Sequence, residues 1–349
     1  MIIAGIIAEY NPFHRGHMYQ IETVKKELNP DVLVVIVTDW FSSRGLPSLI
    51  EPDVKTAVAL KAGADLVLDL PCLYGCQSAD RFAWYALEAL KNAGVNTLCF
   101  GSERNDLAYL DQAAALVETL KADPTTSFTR SSSVLLEDPR PNDILAIQYV
   151  RFCHKLNITP YPMKRVDSYK SATRTRMDYF EGKKEYLSDL FDERQRWESY
   201  YPLLRAFLLM SSPDSLKNIF LVSEGIENRL RKNATAYECW KDFLEASITK
   251  TYSRARIQRT CLFILLQVDK DFARAHDTFG LVCLLGSNAA GNAWIKSLPD
   301  QSVIYPRRRD LPDWLKDFQY KVRSLHNLLP VETCPKHRDK TDLEKDQCH

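Results

Sequence analysis

Of the 349 residues, 46 are Lys or Arg and 45 are Asp or Glu, so the formal net charge is only +1. A chain without surplus positive charge has no global nucleic-acid signature, and an RNA partner would need a local basic patch. No apolar run reaches the length of a membrane span. No basic region stands ahead of a long apolar core, so a secretory signal is not expected. Internal repeats are absent. The nine cysteines are scattered, mostly in apolar segments such as Thr97-Leu98-Cys99-Phe100, and read as reduced thiols of a cytoplasmic protein. Metal-ligand spacing is missing too. Cys72-x3-Cys76 has no partner pair, and Cys334-x2-His337 and Cys348-His349 are irregularly spaced, so no metal site is expected.

What is present is the composition of a globular protein, 45% hydrophobic and 26% charged, at a length that suggests two domains. The apolar run Ile2-Ile3-Ala4-Gly5-Ile6-Ile7 is followed by a turn and an amphipathic stretch over residues 19–28. Residues 32–37 are a continuous β-branched run, the mark of a strand buried on both faces. Helix 53–62 ends at Gly63, strand 65–70 follows, helix 78–92 closes at Gly94, and strand 97–100 runs into Gly101. Four strand–helix alternations predict an α/β, doubly wound parallel sheet, whose ligands bind at the carboxyl ends of the strands. His14, Thr38, Pro71 and Gly101 fall there. Helices over 107–121 and 141–156 and a strand over 162–166 extend the pattern, with a polar Ser/Thr stretch between the helices. Beyond about 183 only helical periodicity is read: 186–210, 216–232, 236–248 and 253–268. The expected organisation is an α/β nucleotide-binding domain over 1–182, an all-α domain over 183–330 and a loose tail over 331–349.

The turn after the first strand carries His14-Arg15-Gly16-His17 where a helix begins. A helix N-terminus presents unpaired N–H groups and partial positive charge, which attract phosphate. Gly16 allows close approach of a ligand. Two imidazoles separated by two residues can donate to phosphate oxygens where a bond between α- and β-phosphates breaks. Taken alone, the two histidines could also be ordinary turn and helix-start residues.

Strand plus H-x-G-H plus helix resembles the nucleotidylyltransferase superfamily, which splits ATP at the α-phosphate. The longer string Ala8-Glu9-Tyr10-Asn11-Pro12-Phe13-His14 through His17 is similar to one branch, the tRNA(Met) cytidine acetate ligase family. So are Leu70-Pro71 with Gln77-Ser78-Ala79-Asp80, Cys99-Phe100-Gly101-Ser102-Glu103, and Ser223 to Leu230 in the helical half. The resemblance implies a Rossmann-like fold and a two-step ligase. Acetate attacks ATP to give acetyl-adenylate, and the acetyl group passes to N4 of the wobble cytidine of elongator tRNA(Met).

By the same resemblance, His14, His17 and Arg176 are catalytic, with Arg176 on the leaving pyrophosphate. ATP is bound along Ile7, Ala8, Glu9, Tyr10, Asn11, Pro12, Phe13, His14, Arg15, Gly16, His17, Met18, Tyr19 and Gln20, with Gly101, Asn142 and Arg165. Mg2+ accompanies ATP without a dedicated ligand set. Asn142 also reads as an N-cap. Tyr252 with Arg254, Arg256 and Arg259 reads as a tRNA-binding face with a ring for stacking, or as a solvated basic face.

Three places depart from the family. Thr38-Asp39-Trp40 stands for its Ser-Gly-Asn, Lys55 stands for an arginine, and the loop over 166–170 is short, with Tyr169 and no histidine. Two other readings stay open on the residues: an adenylyltransferase of a small metabolite, and a non-catalytic nucleotide or RNA binder.

Overall fold

The structure, a computed structural model, describes residues 1–119, 141–166 and 168–328. The polar stretch before Pro141 and the tail over 331–349, with Cys334, His337, Cys348 and His349, lie outside the described residues.

Seven strands form one sheet in the order β5-β4-β1-β2-β3-β6-β7. They are β1 (Ile3–Ala8), β2 (Val32–Thr38), β3 (Leu66–Leu70), β4 (Thr97–Ser102), β5 (Thr159–Lys164), β6 (Val282–Ser287) and β7 (Ile304–Tyr305). The first five are mutually parallel; β1 pairs with β2 from Ile3↔Val32 to Ala8↔Val37. The β-branched runs are buried on both faces as expected. Val32, Val34 and Ile36 enter one apolar cluster, and Leu33, Val35 and Val37 enter the other. Helices α1 (Arg15–Leu28) and α2 (Pro52–Ala62) cover one face through Ile21, Val24 and Ala59. A short α3 (Cys72–Gly75) is followed by α4 (Ala79–Asn92), α5 (Leu107–Thr119) and α6 (Pro141–Leu156), which cover the other through Phe82, Leu87, Leu110 and Val150. The chain runs from β1 outward to β3 and then crosses back to β4, so the topological switch point lies between β1 and β4.

After α7 (Ala172–Phe180) come α8 (Trp197–Met210), α9 (Pro213–Lys217), α10 (Ile226–Ala236), α11 (Trp240–Ser247), α12 (Arg254–Leu265) and α13 (Lys270–Ala275). The continuous helix expected over 216–232 is broken, because Leu221, Glu224 and Gly225 all take positive φ. The helix expected over 186–210 begins only at Trp197, and residues 183–196 before it hold a single 3-10 turn, Ser188–Leu190.

The expectation of a strand-free chain beyond 183 is corrected by β6 and β7. Leu284, Gly286 and Ser287 of β6 pair antiparallel with β3, Leu66↔Ser287 to Leu68↔Leu284, and cover an edge that would otherwise carry unpaired backbone groups, while Val282 and Cys283 pair with β7. Helices α14 (Ala289–Ser297) and α15 (Asp313–Asn327) then return to the first half. The larger apolar cluster runs without a break from Ile3 through Trp197, Phe243 and Ile257 to Leu325.

Candidate active site

The turn from β1 into α1 is built on buried rings. Tyr10 packs edge-on against Phe13 at 4.8 Å and tilts against His17 at 4.8 Å. His14 is the N-cap of α1. The backbone N–H of Gly16 donates to Nδ1 of His14 (3.1 Å), and the backbone N–H of His14 donates to Nδ1 of His17 (3.3 Å). This is a reciprocal capping box made with imidazoles. The rings stack with centroids 3.7 Å apart. A side chain at Gly16 would put its Cβ 2.9 Å from Cε1 of His14, so only glycine lets the ring lie over the helix start.

The capping bonds decide the chemistry of the pair. With both Nδ1 lone pairs accepting, each neutral ring carries its proton on Nε2. Burial, and then the positive charge of Arg165, lowers His14 to about 4. Burial, His14 and Arg165 hold His17 well below the ordinary imidazole range. The site therefore offers two fixed, neutral N–H donors at the positive end of a helix.

On the β4 side of the switch point, the aliphatic stem of Arg165 lies over Gly101; a Cβ there would fall 3.3 Å from its Cγ. The Arg165 guanidinium stands 3.8 Å from Glu103. Glu103 accepts from the side-chain amide of Asn142 and from the backbone N–H of Asp143 (3.0 Å). Gly101, Asn142 and Arg165 are thus gathered around one carboxylate. Glu103 was legible only as part of the motif after β4. Asn142 is not an N-cap, because α6 already begins at Pro141. Its first-turn amides are held by Glu103 instead, while buried Asp143 accepts from Ser102 (2.6 Å) and from the Glu103 N–H (2.9 Å).

Arg176 is placed differently from the expectation. Its guanidinium donates to Oδ1 of Asn11 (2.7 Å), the carbonyl of Pro47 (3.0 Å) and the carbonyl of Gln195 (2.9 Å). It ties the H-x-G-H turn to the loop after β2. Burial lowers its pKa to about 10. The nearby basic residues are also committed: Lys170, Arg174 and Lys183 all pair with the buried Asp178, at 2.8–2.9 Å. That leaves Lys164 and Arg165 of the basic stretch on the strand side.

The departing turn after β2 is filled by its own charges. Lys55 is buried and donates to the carbonyls of Thr38 (2.9 Å) and Asp39 (2.8 Å). Burial lowers it to about 8, against the pull of Asp39. Asp39 accepts from the N–H groups of Trp40 (2.6 Å) and Cys72 (2.9 Å), and burial pushes it up to about 6. Asp69 accepts from Gln319 of α15 (2.6 Å); burial and then Asp39 push it up to about 8. The seven described cysteines are free thiols, and no three His, Cys, Asp or Glu side chains among the described residues are grouped to hold a metal.

Of the residues expected to form an RNA face on α12, Arg254 alone is exposed. Tyr252 is 2% exposed, its hydroxyl accepts from the N–H of Ser223 (2.9 Å), and Arg256 covers its ring at 3.8 Å. No base can stack there. Arg256 donates to Thr251 and Ser223, and Arg254 pairs with Glu245. Arg259 is turned inward and donates to the carbonyl of Ser43 (3.2 Å). Burial lowers it to about 10. Tyr252 and Arg256 face the segment around Ser223, and of the four only Arg259 reaches the first half of the chain.

Residues 1–309 match the family model described as HIGH Nucleotidyl Transferase. The tRNA(Met) cytidine acetate ligase of Thermoanaerobacter sp. (strain X514) is 30% identical over 374 residues, covering 93% of this chain and 90% of that protein. The Listeria monocytogenes serotype 4b protein of the same name is 30% identical over 351 residues, covering 88% of each. Among solved structures, Thermotoga maritima TmcAL bound with alpha-thio ATP superposes with a TM-score of 0.80 at 25% identity, covering 95% of this chain and 96% of that one. Its apo form gives 0.78 at 26% identity, covering 93% and 92%.

Proposed function

The chain belongs to the tRNA(Met) cytidine acetate ligase family of HIGH nucleotidyl transferases, and from that premise we propose that it activates acetate with ATP and acetylates N4 of the wobble cytidine of elongator tRNA(Met). The observation that carries this reading is the stacked imidazole pair whose capping bonds leave both Nε2–H groups to donate at the start of α1.

ATP lies across the β1/β4 switch point, its nucleoside toward Gly101, Asn142 and Arg165 and its phosphates toward His14, His17 and the first N–H groups of α1. An acetate oxygen attacks the α-phosphorus, the bond to the β-phosphate breaks, and pyrophosphate leaves. Acetate is already an anion, so this step needs no base. Charge gathers on the phosphate oxygens, and two donors fixed beforehand stabilise it without reorganisation. Neutral imidazoles suit this task, since they donate without needing a proton from solvent. Mg2+ enters with the triphosphate as part of the substrate. Arg176 acts by holding Asn11 and the Pro47 loop in place, rather than on the pyrophosphate.

Nucleotide chemistry belongs to residues 1–182 and tRNA contact to 183–330, where Lys250 and Arg254, the latter paired with Glu245, are among the exposed basic residues. The test is acetate-dependent exchange of labelled pyrophosphate into ATP, followed by mass spectrometry of nucleosides from tRNA incubated with the protein, ATP and acetate. Exchange with acetate and an acetylated cytidine are expected. Exchange without any carboxylate requirement, or an unmodified tRNA, would overturn the assignment.

A further inference from the structure

We propose that Glu9 is the acceptor-side carboxylate of this site: it receives the exocyclic amine of the target cytosine and takes its proton during acyl transfer. The inference rests on the ligase reading above and names a residue for its second step.

Three observations point to it. Glu9 follows β1 directly, and its carboxylate is held by the loop after β2. Its Oε1 is fixed by Ser43, which donates both its backbone N–H (2.9 Å) and its hydroxyl. No described residue donates to Oε2, and the side chain is half-buried rather than sealed. One oxygen is therefore held and the other is presented.

The chemistry of the possible occupants selects among them. A triphosphate or an acetate beside this carboxylate would meet like charge. The cytosine amine is a donor, and a carboxylate is the side chain that reads it. The holding loop is itself braced by the helical half: Arg259 donates to the carbonyl of Ser43 (3.2 Å), and the Trp197 indole donates to the carbonyl of Gly45 (2.9 Å). The part of the chain assigned to tRNA thus holds the residue that holds Glu9.

In the step, the N4 lone pair attacks the acetyl carbonyl carbon of acetyl-adenylate. The bond from that carbon to the phosphate oxygen breaks, and AMP leaves with the electron pair. One N4 proton passes to Oε2 of Glu9.

Glu9→Gln tests this in the full chain, because the amide oxygen still accepts from Ser43 while the proton acceptor is lost. Pyrophosphate exchange with acetate reads the first step, and acetylated cytidine in tRNA reads the second. The ratio of transfer to exchange is expected to fall about 10²-fold. Ser43→Ala, which loosens Glu9, should lower the same ratio about tenfold. A ratio unchanged in Glu9→Gln would reduce Glu9 to a structural residue. Equal loss of both steps would assign it to the nucleotide; either result overturns the proposal. A wild-type protein that shows no acetate-dependent exchange instead brings down the ligase reading itself.

Discussion

Replacing His17 by alanine separates the two tasks of this ring. In the structure His17 accepts the His14 N–H (3.3 Å), stacks on the His14 ring (3.7 Å) and, in the proposed mechanism, presents Nε2–H to phosphate. Loss of a capping bond costs about 1 kcal/mol. Loss of a ring pair costs a further ~0.5–1.5 kcal/mol. Against a domain stability of roughly 5–15 kcal/mol, the variant stays folded. Loss of one pre-aimed donor to a developing oxyanion is far larger in rate, about 10²–10³-fold. The expected pattern is a urea midpoint shifted modestly and acetate-dependent pyrophosphate exchange lowered by two to three orders of magnitude. Two other patterns would refute the reasoning. Exchange within threefold of wild type would mean the ring caps and does nothing else. An unfolded variant would mean that the turn, not the chemistry, depends on it.

The remaining predictions address the charges and the loop. His14 sits at about 4, below its unfolded value, so protonation favours the unfolded chain and stability falls as pH drops through 6.5 toward 4. At pH 5 the loss is at most about 2 kcal/mol relative to pH 8, and His14→Asn, which keeps a cap, should remove it; an identical acid slope in urea melts of both proteins would contradict this. Asp69 is raised to about 8, so its contribution runs the other way: stability declines as pH rises from the ordinary carboxylate range and levels off near 8. Asp69→Asn keeps the Gln319 bond and should flatten that decline in thermal melts; no change of slope argues against a buried acid there. Gly45 has φ +71, and a Cβ would lie 2.8 Å from the backbone nitrogen of Arg259. Gly45→Ala should therefore cost about 2–4 kcal/mol, and a loss under 1 kcal/mol would show the brace to be loose. Arg176→Lys should cost about 2–3 kcal/mol by losing the three-way clamp, with little change in KM for ATP; full stability with a tenfold higher KM would return Arg176 to the pyrophosphate.

Local signals carried the first half of the chain well. The run Val32-Leu33-Val34-Val35-Ile36-Val37 has no polar face, so a strand covered on both sides was the only economical reading, and both apolar clusters contain it. Helix α2 was expected over 53–62 and runs Pro52–Ala62. The second half was less legible. The short run at β6 has too few residues for its period to tell strand from helix, and its partner β3 lies more than two hundred residues earlier.

The sequence by itself determined the β1–turn–α1 unit and the placing of two histidines at a helix start. Strand, glycine and cap are all set within a few neighbouring residues. It could not determine what each cation would meet. Arg176 and Arg259 look on paper like phosphate ligands, yet each is bound to carbonyls of the loop after β2, as is Lys55. Tyr252 looks like a stacking ring and is buried under Arg256. Residue type states which bonds a side chain can make. Only packing of distant segments decides which acceptor comes within 3 Å, and a buried cation must take that acceptor because water cannot follow it inside.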